Sequence, residues 1–336
     1  MSLYCGIDLH SNNHVIVIID ENDQKVMNKR VANDLTNTLS LLSPWRDELV
    51  GIAVESTFNW YWLVDGLMEA GFPVSLVHTT AVRTYSGLKH SDDVQDAFWL
   101  AHLMRLDILP RGYIYPAEQR PLRDLMRRRM RLVQQRSGNI LSLQNQVWRS
   151  TGKKLSCNAI KRLDASFALE AEPLIRQSLH STWHIIQALD REIVEIERTV
   201  KAQVTLRDSF RCLLTAPGIG FVLASSIMLE TGDIRRFAGP GQFASYSRCV
   251  GSAYTSNGKK KGKGNRKSGN RYLAWAFVEA SHFARRYCPP AQRFFERKRS
   301  RTNAAIASKA LAHKLARACF FLMRDGVEFE AKKCFA

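Results

Sequence analysis

The stretch Leu3-Tyr4-Cys5-Gly6-Ile7-Asp8-Leu9-His10, followed almost at once by His14-Val15-Ile16-Val17-Ile18-Ile19-Asp20, decides how the front of this chain folds. The run at 15–19 is β-branched and too short for a long helix, so it reads as a strand. ENDQ at 21–24 is an Asp/Asn-rich turn between apolar runs, and KVMNKRVAN at 25–33 reads as the returning strand. The chain therefore opens with a β-hairpin and a further strand. Outward from there, a helix is expected over 35–43, ending before Pro44. ELVGIAVES at 48–56 reads as a short buried strand. Helical spacing runs over 57–70 and closes at Gly71, FPVSLVH at 72–78 is another strand, and SDDVQDAFWLAHLMRL at 91–106 is a helix with Ser91 as its N-cap. This order describes a mixed α/β domain of about 110 residues.

Composition bounds the rest. The chain has 336 residues and a net charge of +18, with 45% hydrophobic residues, enough for a sizeable core. Charge is unevenly placed: residues 1–110 hold 14 acids against 7 Lys+Arg, while residues 111–336 hold 17 acids against 42 Lys+Arg. A net of −7 in front and +25 behind fits a catalytic module joined to a polyanion-binding module. Seven cysteines, an odd number without a CxxC pair, argue against a disulfide framework and a structural zinc site, and for a reducing cytoplasm. No apolar run is long enough for a membrane span, and the opening residues do not form a signal peptide.

Behind residue 112 the pattern becomes helical. Residues 118–150 carry helical apolar spacing and many arginines, and Pro173 suits the first turn of a helix reaching Val204. Leu179, Ile186, Ile193 and Val200 repeat every seven residues in that helix, with Leu189 and Ile196 between them: a coiled-coil seam, and so an arm, a dimerisation element or a bundle helix. PGIG at 217–220 lies between two apolar helices, the helix-hairpin-helix pattern, in which Gly218 and Gly220 would let a phosphate approach backbone N–H groups. Further helices are expected over 271–287 and 303–324. Three regions result: 1–112, 113–205 and 206–336.

The chemistry-bearing residues fall into three sets. Asp8 and Glu55 sit at the ends of two strands, and Asp93 and Asp96, three apart, share a helix face, with Asp92 an alternative to Asp93. Carboxylates converging at one sheet edge repel unless a divalent metal joins them, and hard oxygen ligands suit Mg²⁺ or Mn²⁺, two ions of which serve phosphodiester chemistry. The second set is Lys259, Lys260, Lys261, Lys263, Arg266 and Lys267, within a glycine-broken loop able to wrap a nucleic-acid backbone. A serine beside it could attack a phosphorus atom, because neighbouring cations would stabilise the developing charge. The third is Arg127, Arg128, Arg129 and Arg131, a further phosphate-binding cluster, alongside 296–301. Trp148, Tyr246, Tyr254 and Tyr272 are aromatic residues able to stack on bases or to fill the core. There is no P-loop, GxGxxG, HExxH or nucleophile elbow.

Taken together, GIDLH at 6–10, VES at 54–56, SDDVQDAFWLA at 91–101, PGIG, FASYSRCVG at 243–251, SNG at 256–258 and GNRKSGNRYLAWA at 264–276 resemble the DEDD transposases of bacterial insertion sequences, the group related to the Piv DNA invertase. The resemblance spans nearly the whole chain. It implies a RuvC-like N-terminal domain of RNase H topology that binds two Mg²⁺ (or Mn²⁺) ions through Asp8, Glu55, Asp93 and Asp96. It implies a coiled-coil region leading to a mostly helical C-terminal transposase domain. It further implies DNA excision and insertion guided by an element-encoded RNA, in a homo-oligomer (dimer or tetramer) located in the cytoplasm at the nucleoid. The nucleophile would be Ser256, forming a 5′-phosphoserine link, with Ser252 and Ser268 as the neighbouring alternatives. Two other readings compete, beside an actin-like sugar kinase, which would share the opening strand with its Asp but is opposed by the absence of glycine-rich phosphate loops and by the +25 rear region. A RuvC-like metal-dependent, structure-selective nuclease needs the acids but no serine. A noncatalytic nucleic-acid-binding protein needs neither.

Overall fold

The computed structural model describes residues 1–82, 92–164, 166–251, 253–263 and 268–335, with the backbone alone at several positions, among them Ser256, Lys260 and Lys263. The Ser91 cap, Ser252, Arg266 and Lys267 lie outside the described residues. The chain divides into two compact units, Met1–Glu118 and Gln119–Ala336.

The first unit is a five-stranded mixed sheet. Its elements are β1 (Leu3–Leu9), β2 (Asn13–Ile19), β3 (Lys25–Ala32), α1 (Leu35–Leu42), β4 (Leu49–Glu55), α2 (Tyr61–Glu69), β5 (Val74–Val77), α3 (Thr79–Val82) and α4 (Asp93–Arg105). The sheet order is β3-β2-β1-β4-β5. β2 pairs antiparallel with β1 and β3, whereas β4 runs parallel to β1 and β5. This order and these directions are consistent with an α/β RNase H-like domain.

Strand alternation assigns the two faces. Leu3, Cys5, Ile7 and Leu9 join Ile16, Ile18, Ile52 and Val54 in a core with Leu42, Leu63, Val64 and Leu67 of α1 and α2. The opposite face carries Val15, Val17 and Ile19, which pack on Ala97 and Ala101 of α4. Asp8 belongs to that second face, being two residues from Gly6. At Gly6 the helix backbone comes so close that an added Cβ would lie 1.9 Å from the Ala97 carbonyl oxygen and 2.8 Å from the Ala101 nitrogen. α4 is capped at one end and clamped at the other. Asp92 caps it by accepting the Gln95 N–H at 2.7 Å. The cap is thus Asp92, whose carboxylate closes the open amides of the first turn. At the other end Arg105 donates twice to Asp23 at 2.7 Å, and the His102 ring lies 2.9 Å from the same carboxylate. Asp23 sits in the expected turn between β2 and β3 with φ 62°, a conformation that aspartate tolerates.

The second unit comprises α5 (Arg120–Thr151), α6 (Cys157–Lys161), α7 (Pro173–Val204), α8 (Asp208–Leu214), α9 (Phe221–Thr231), α10 (Pro240–Tyr246), β6 (Ala253–Ser256), β7 (Lys259–Lys263), α11 (Arg271–Tyr287), α12 (Pro289–Arg299), α13 (Ala304–Asp325) and α14 (Ala331–Phe335). α5 and α7 form an antiparallel helical hairpin. Arg129 pairs with Glu197, Arg136 with Asp190, and Gln146 with Thr182, so the partner's number falls as the other rises. Leu179, Ile186, Ile193 and Val200 are buried, each burial stabilising by roughly 1.5–3 kcal/mol. The heptad seam therefore packs within the chain's own helical unit. Residues of α5 and α7 also share one core with α8–α13. Among the described residues no helix is long and apolar enough to cross a membrane.

The basic segment expected as a loop contains a two-stranded antiparallel ribbon, β6 with β7. Its turn is Asn257-Gly258, both at positive φ (50° and 71°), the pair that a type I′ hairpin turn needs.

The Gly6 contact yields a paired expectation. Gly6→Ala should destabilise the chain by about 2 kcal/mol or more, since backbone rather than a flexible side chain must move. Gly138→Ala, in α5 with open space around it, should stabilise by about 0.5–1 kcal/mol. Urea unfolding of both variants checks the contrast.

Candidate active site

The site is built where β1 leaves the sheet. Asp8 occupies the penultimate position of β1 and is 4% exposed. His10 follows two residues later, past the end of the strand. Its carbonyl oxygen accepts from the Asn33 and Asn59 amides, each at 3.0 Å, which fixes this residue at the sheet edge. Asp93 comes from the first turn of α4. The His10 Nε2 lies 3.1 Å from Asp8 Oδ2 and 3.3 Å from Asp93 Oδ1. These three ligand atoms lie within 4.8 Å of one another.

Arg30 on β3 holds Asp93 in place. Its Nη2 donates to Asp93 Oδ2 at 2.5 Å and its Nη1 to Asn13 Oδ1 at 3.0 Å. The Arg30 hydrogen bond is the main reason that the Asp93 carboxyl sits below the usual carboxylate range; desolvation opposes it, and the charge of a protonated His10 adds to it.

The donor set fits a divalent cation. Two carboxylates from separate elements face each other across an imidazole nitrogen. That nitrogen is buried and lies within 3.3 Å of an oxygen of each acid. A buried carboxylate such as Asp8 costs free energy, and so does holding it close to a second one. A cation held between these atoms would relieve both.

The other expected acids are placed as follows. Glu55 ends β4, and the Ile7–Val54 pairing puts it beside Asp8 on the neighbouring parallel strand. Adjacent strands are about 4.8 Å apart, so the register makes Glu55 the neighbour of the cluster. Asp96 lies one turn along α4 from Asp93 and is exposed. The carboxylates of Glu55 and Asp96 are outside the close three-atom group.

His10, Arg30, Asn33 and Asn59 escaped the sequence reading as site residues. One signal for His10 was available: in extended chain, residues two apart point the same way, so His10 continues the face of Asp8. Arg30 and the two asparagines reach the site only through strand pairing and loop closure, which leave no local pattern.

In the second unit, Ser256 is the last residue of β6 and pairs with Lys259 across the Asn257-Gly258 turn, at the tip of the ribbon. Lys259, Lys261 and Ser268 are exposed. Gly218, at φ 80°, faces α11 so closely that an added Cβ would lie 2.4 Å from the Ala280 carbonyl oxygen. It serves helix packing there, whereas Gly220 begins α9 with open space around it. Arg127 is engaged by Glu230 and Arg129 by Glu197, whereas Arg128 and Arg131 are exposed.

A mixed five-stranded sheet, consistent with an RNase H-like domain, with an acid–histidine cluster at the end of its first strand characterises the N-terminal unit. Residues 5–149 match a family model for DEDD-type transposases, DEDD_Tnp_IS110, described as "Transposase". Residues 210–296 match the model described as "Transposase IS116/IS110/IS902 family". The chain belongs to the IS110/IS116 family of insertion-sequence transposases. It is 25% identical over 337 aligned residues to the transposase for insertion sequence element IS1328 of Yersinia enterocolitica, covering 96% of this chain and 97% of that protein. It is 22% identical over 286 residues to the transposase for insertion sequence element IS1111A of Coxiella burnetii (strain RSA 493 / Nine Mile phase I), covering 82% of this chain and 76% of that one.

A cation bound only by the folded site raises stability by mass action, by about 2.7 kcal/mol at a hundredfold excess over Kd. Mn²⁺ at that excess should therefore raise the Tm of the full chain by several degrees in differential scanning fluorimetry. Asp8→Asn should lose most of this rise. An equal rise in both proteins would place the ion elsewhere.

Proposed function

We propose that this transposase excises and inserts its element by Mg²⁺- or Mn²⁺-dependent strand exchange with Ser256 as the nucleophile, guided by an element-encoded RNA. The observation that carries the reading is the Asp8–His10–Asp93 cluster, set at a strand end of a sheet in a chain of this family. Asp8, Asp93 and His10 would hold the cation, with Glu55 and Asp96 completing the set. When bound, hard divalent ions neutralise and polarise the non-bridging oxygens of the scissile phosphate.

The chain's own residues have separate tasks. Arg30 keeps Asp93 ionised and aimed at Asp8. Asn33 and Asn59 hold the backbone of residue 10. The Ser256 hydroxyl loses its proton as its Oγ–P bond forms. The P–O3′ bond breaks, and the departing 3′ oxygen takes up a proton, leaving a 5′-phosphoserine and a free 3′-OH. Attack by the 3′-OH of another strand reverses the step and frees the serine. One phosphoester replaces another each time, so no external energy is needed.

The positive charge of residues 111–336 supports binding of DNA and RNA, with the lysine ribbon and Gly220 at the start of α9 as phosphate contacts. We assign the α8–PGIG–α9 pair to a helix-hairpin-helix role, the α5–α7 hairpin to the coiled-coil region, and the working state to a homo-oligomer. The proposed regions are 1–112 for the metal site, 113–205 for the helical arm and 206–336 for the serine ribbon.

The test uses a plasmid carrying this gene with its native flanks and amplification across the joined element ends. Wild type should give a circle junction, while Asp8→Ala and Ser256→Ala should each reduce it by at least 100-fold. A junction that persists in Ser256→Ala would overturn the serine assignment. Purified protein that still cleaves DNA with Ser256→Ala would favour the metal-dependent nuclease.

A further inference from the structure

The arginine cluster of α5 does not act as one surface. Asp124, Arg127, Arg128, Arg131 and Gln134 fall on one face of the helix. With Arg271, Tyr272 and Trp275 at the start of α11 they line a cavity of about 590 Å³. Arg127, one of these lining residues, is anchored by a buried acid. Glu230 is 5% exposed and accepts from Arg127 Nε at 2.5 Å and Nη2 at 2.7 Å, and from Asn270 Nδ2 at 2.6 Å. Asn270 in turn caps α11, its Oδ1 accepting from the N–H groups of Tyr272 and Leu273 at 2.8 and 3.0 Å. The Arg127 guanidinium also lies over the Tyr272 ring, 4.7 Å from its centre. The network thus ties α5, α9 and α11 together and locks Arg127 and Tyr272. It also neutralises Arg127, leaving other groups to supply the positive potential of the cavity.

Those groups are Arg128, Arg131 and Arg271, all exposed. Among the described residues Arg128 and Arg131 have no acidic partner, and Arg271 contacts Tyr272 alone, donating to its hydroxyl at 2.9 Å and lying over its ring. Asp124 is the one acid in the lining, and Arg123 and Arg127 flank it at 3.5 and 3.6 Å. Trp275 adds a half-buried indole. Three unneutralised guanidinium groups recognise phosphate, and an aromatic wall recognises the face of a base. The volume suits one nucleotide rather than a duplex, whose bases are already stacked and cannot enter.

We propose that this cavity binds an unpaired nucleotide of a polynucleotide, with Arg128, Arg131 and Arg271 on the phosphates and Trp275 against the base. The inference rests on the nucleic-acid reading above but not on its chemistry. The shared ligand is single-stranded nucleic acid, and RNA and DNA are distinguished as separate arms of the test.

The test is fluorescence anisotropy with the full chain and three labelled probes: a 12-nucleotide oligouridine, a 12-nucleotide oligothymidine and a 12-base-pair duplex. The double variant R131E/R271E should weaken at least one single-stranded probe tenfold or more. It should also flatten that probe's log K against log salt slope by about 1.4, the equivalent of two phosphates. Duplex affinity should change less than threefold. Trp275→Leu should weaken the same probe by roughly fivefold or more, as for loss of one stacked base. Loss confined to oligouridine identifies RNA as the occupant, loss confined to oligothymidine identifies DNA, and loss of both supports either strand. Equal loss for duplex and single strand would overturn the proposal, as would no loss with a retained melting temperature. If R131E/R271E lowers the melting temperature, photocrosslinking of 4-thiouridine or 4-thiothymidine probes to the wild type decides. Adducts within residues 271–275 are expected, and adducts only elsewhere would refute the pocket. Strand exchange is not read in these assays, so failure of the Ser256 mechanism would leave their outcome unchanged.

Discussion

The close approach of α4 to β1 at Gly6 is the constraint on which the N-terminal unit depends. Any side chain at that position would have to occupy the space of the Ala97 carbonyl. Because the helix lies directly on the strand there, its first turn arrives beside the strand's end. Asp8 is two residues past Gly6 on the same face, and Asp93 is four residues before Ala97, one helical turn away. The distance between the two acids is thus set by backbone packing rather than by flexible loops. Such placement gives a catalytic constellation the precision that proximity effects require. The Arg30–Asp93 pair and the Asp23 clamp tie the two ends of α4 to the strands, which keeps the helix from sliding along the sheet and altering that distance.

Bringing acids together is costly, and the surroundings show how the cost is met. Arg30 balances Asp93 from the edge of the sheet, and His10 stands between the two carboxylates, within 3.3 Å of an oxygen of each. A divalent cation would find ligand atoms already in place, and Arg30 would continue to hold the outer oxygen of Asp93. In the second unit the same logic produces a different outcome. Glu230 and Arg127 are bidentate, and Asn270 fills a further acceptor position of the carboxylate, so that this buried pair is closed and serves as a strut. Its role is to fix neighbouring groups, not to receive a ligand.

Much of this was legible in the amino-acid sequence, for reasons that are local. β-branched runs, the ENDQ turn and Pro44 marked the strand-first order, and Pro173 and the heptad of Leu179, Ile186, Ile193 and Val200 marked α7. Asp8 and Glu55 stood out because they end apolar strands. The remainder was hidden for physical reasons. A heptad shows that a stripe is buried but not against what, and here the helix that pairs with α7 is α5 of the same chain. Lysines at 259–261 drew attention to charge and away from Asn257-Gly258, whose turn chemistry makes a ribbon. Gly218 read as a glycine that admits phosphate, and the fold adds a second demand for glycine there, a φ of 80° with the α11 backbone packed where a Cβ would lie. Arg30, Asn33 and Glu230 act across long stretches of chain, and only the fold brings them to their partners.

The central claim is that Asp8, His10 and Asp93 form one cation site created by the seating of α4 on β1. Pulsed electron paramagnetic resonance on the Mn²⁺-loaded full chain tests it most directly, because a coordinated imidazole imprints ¹⁴N modulation on the manganese signal. The account predicts that modulation in the wild type and its disappearance in His10→Ala, with Mn²⁺ affinity falling in Asp8→Asn. A bound Mn²⁺ with no nitrogen coupling, or with coupling unchanged in His10→Ala, would contradict it.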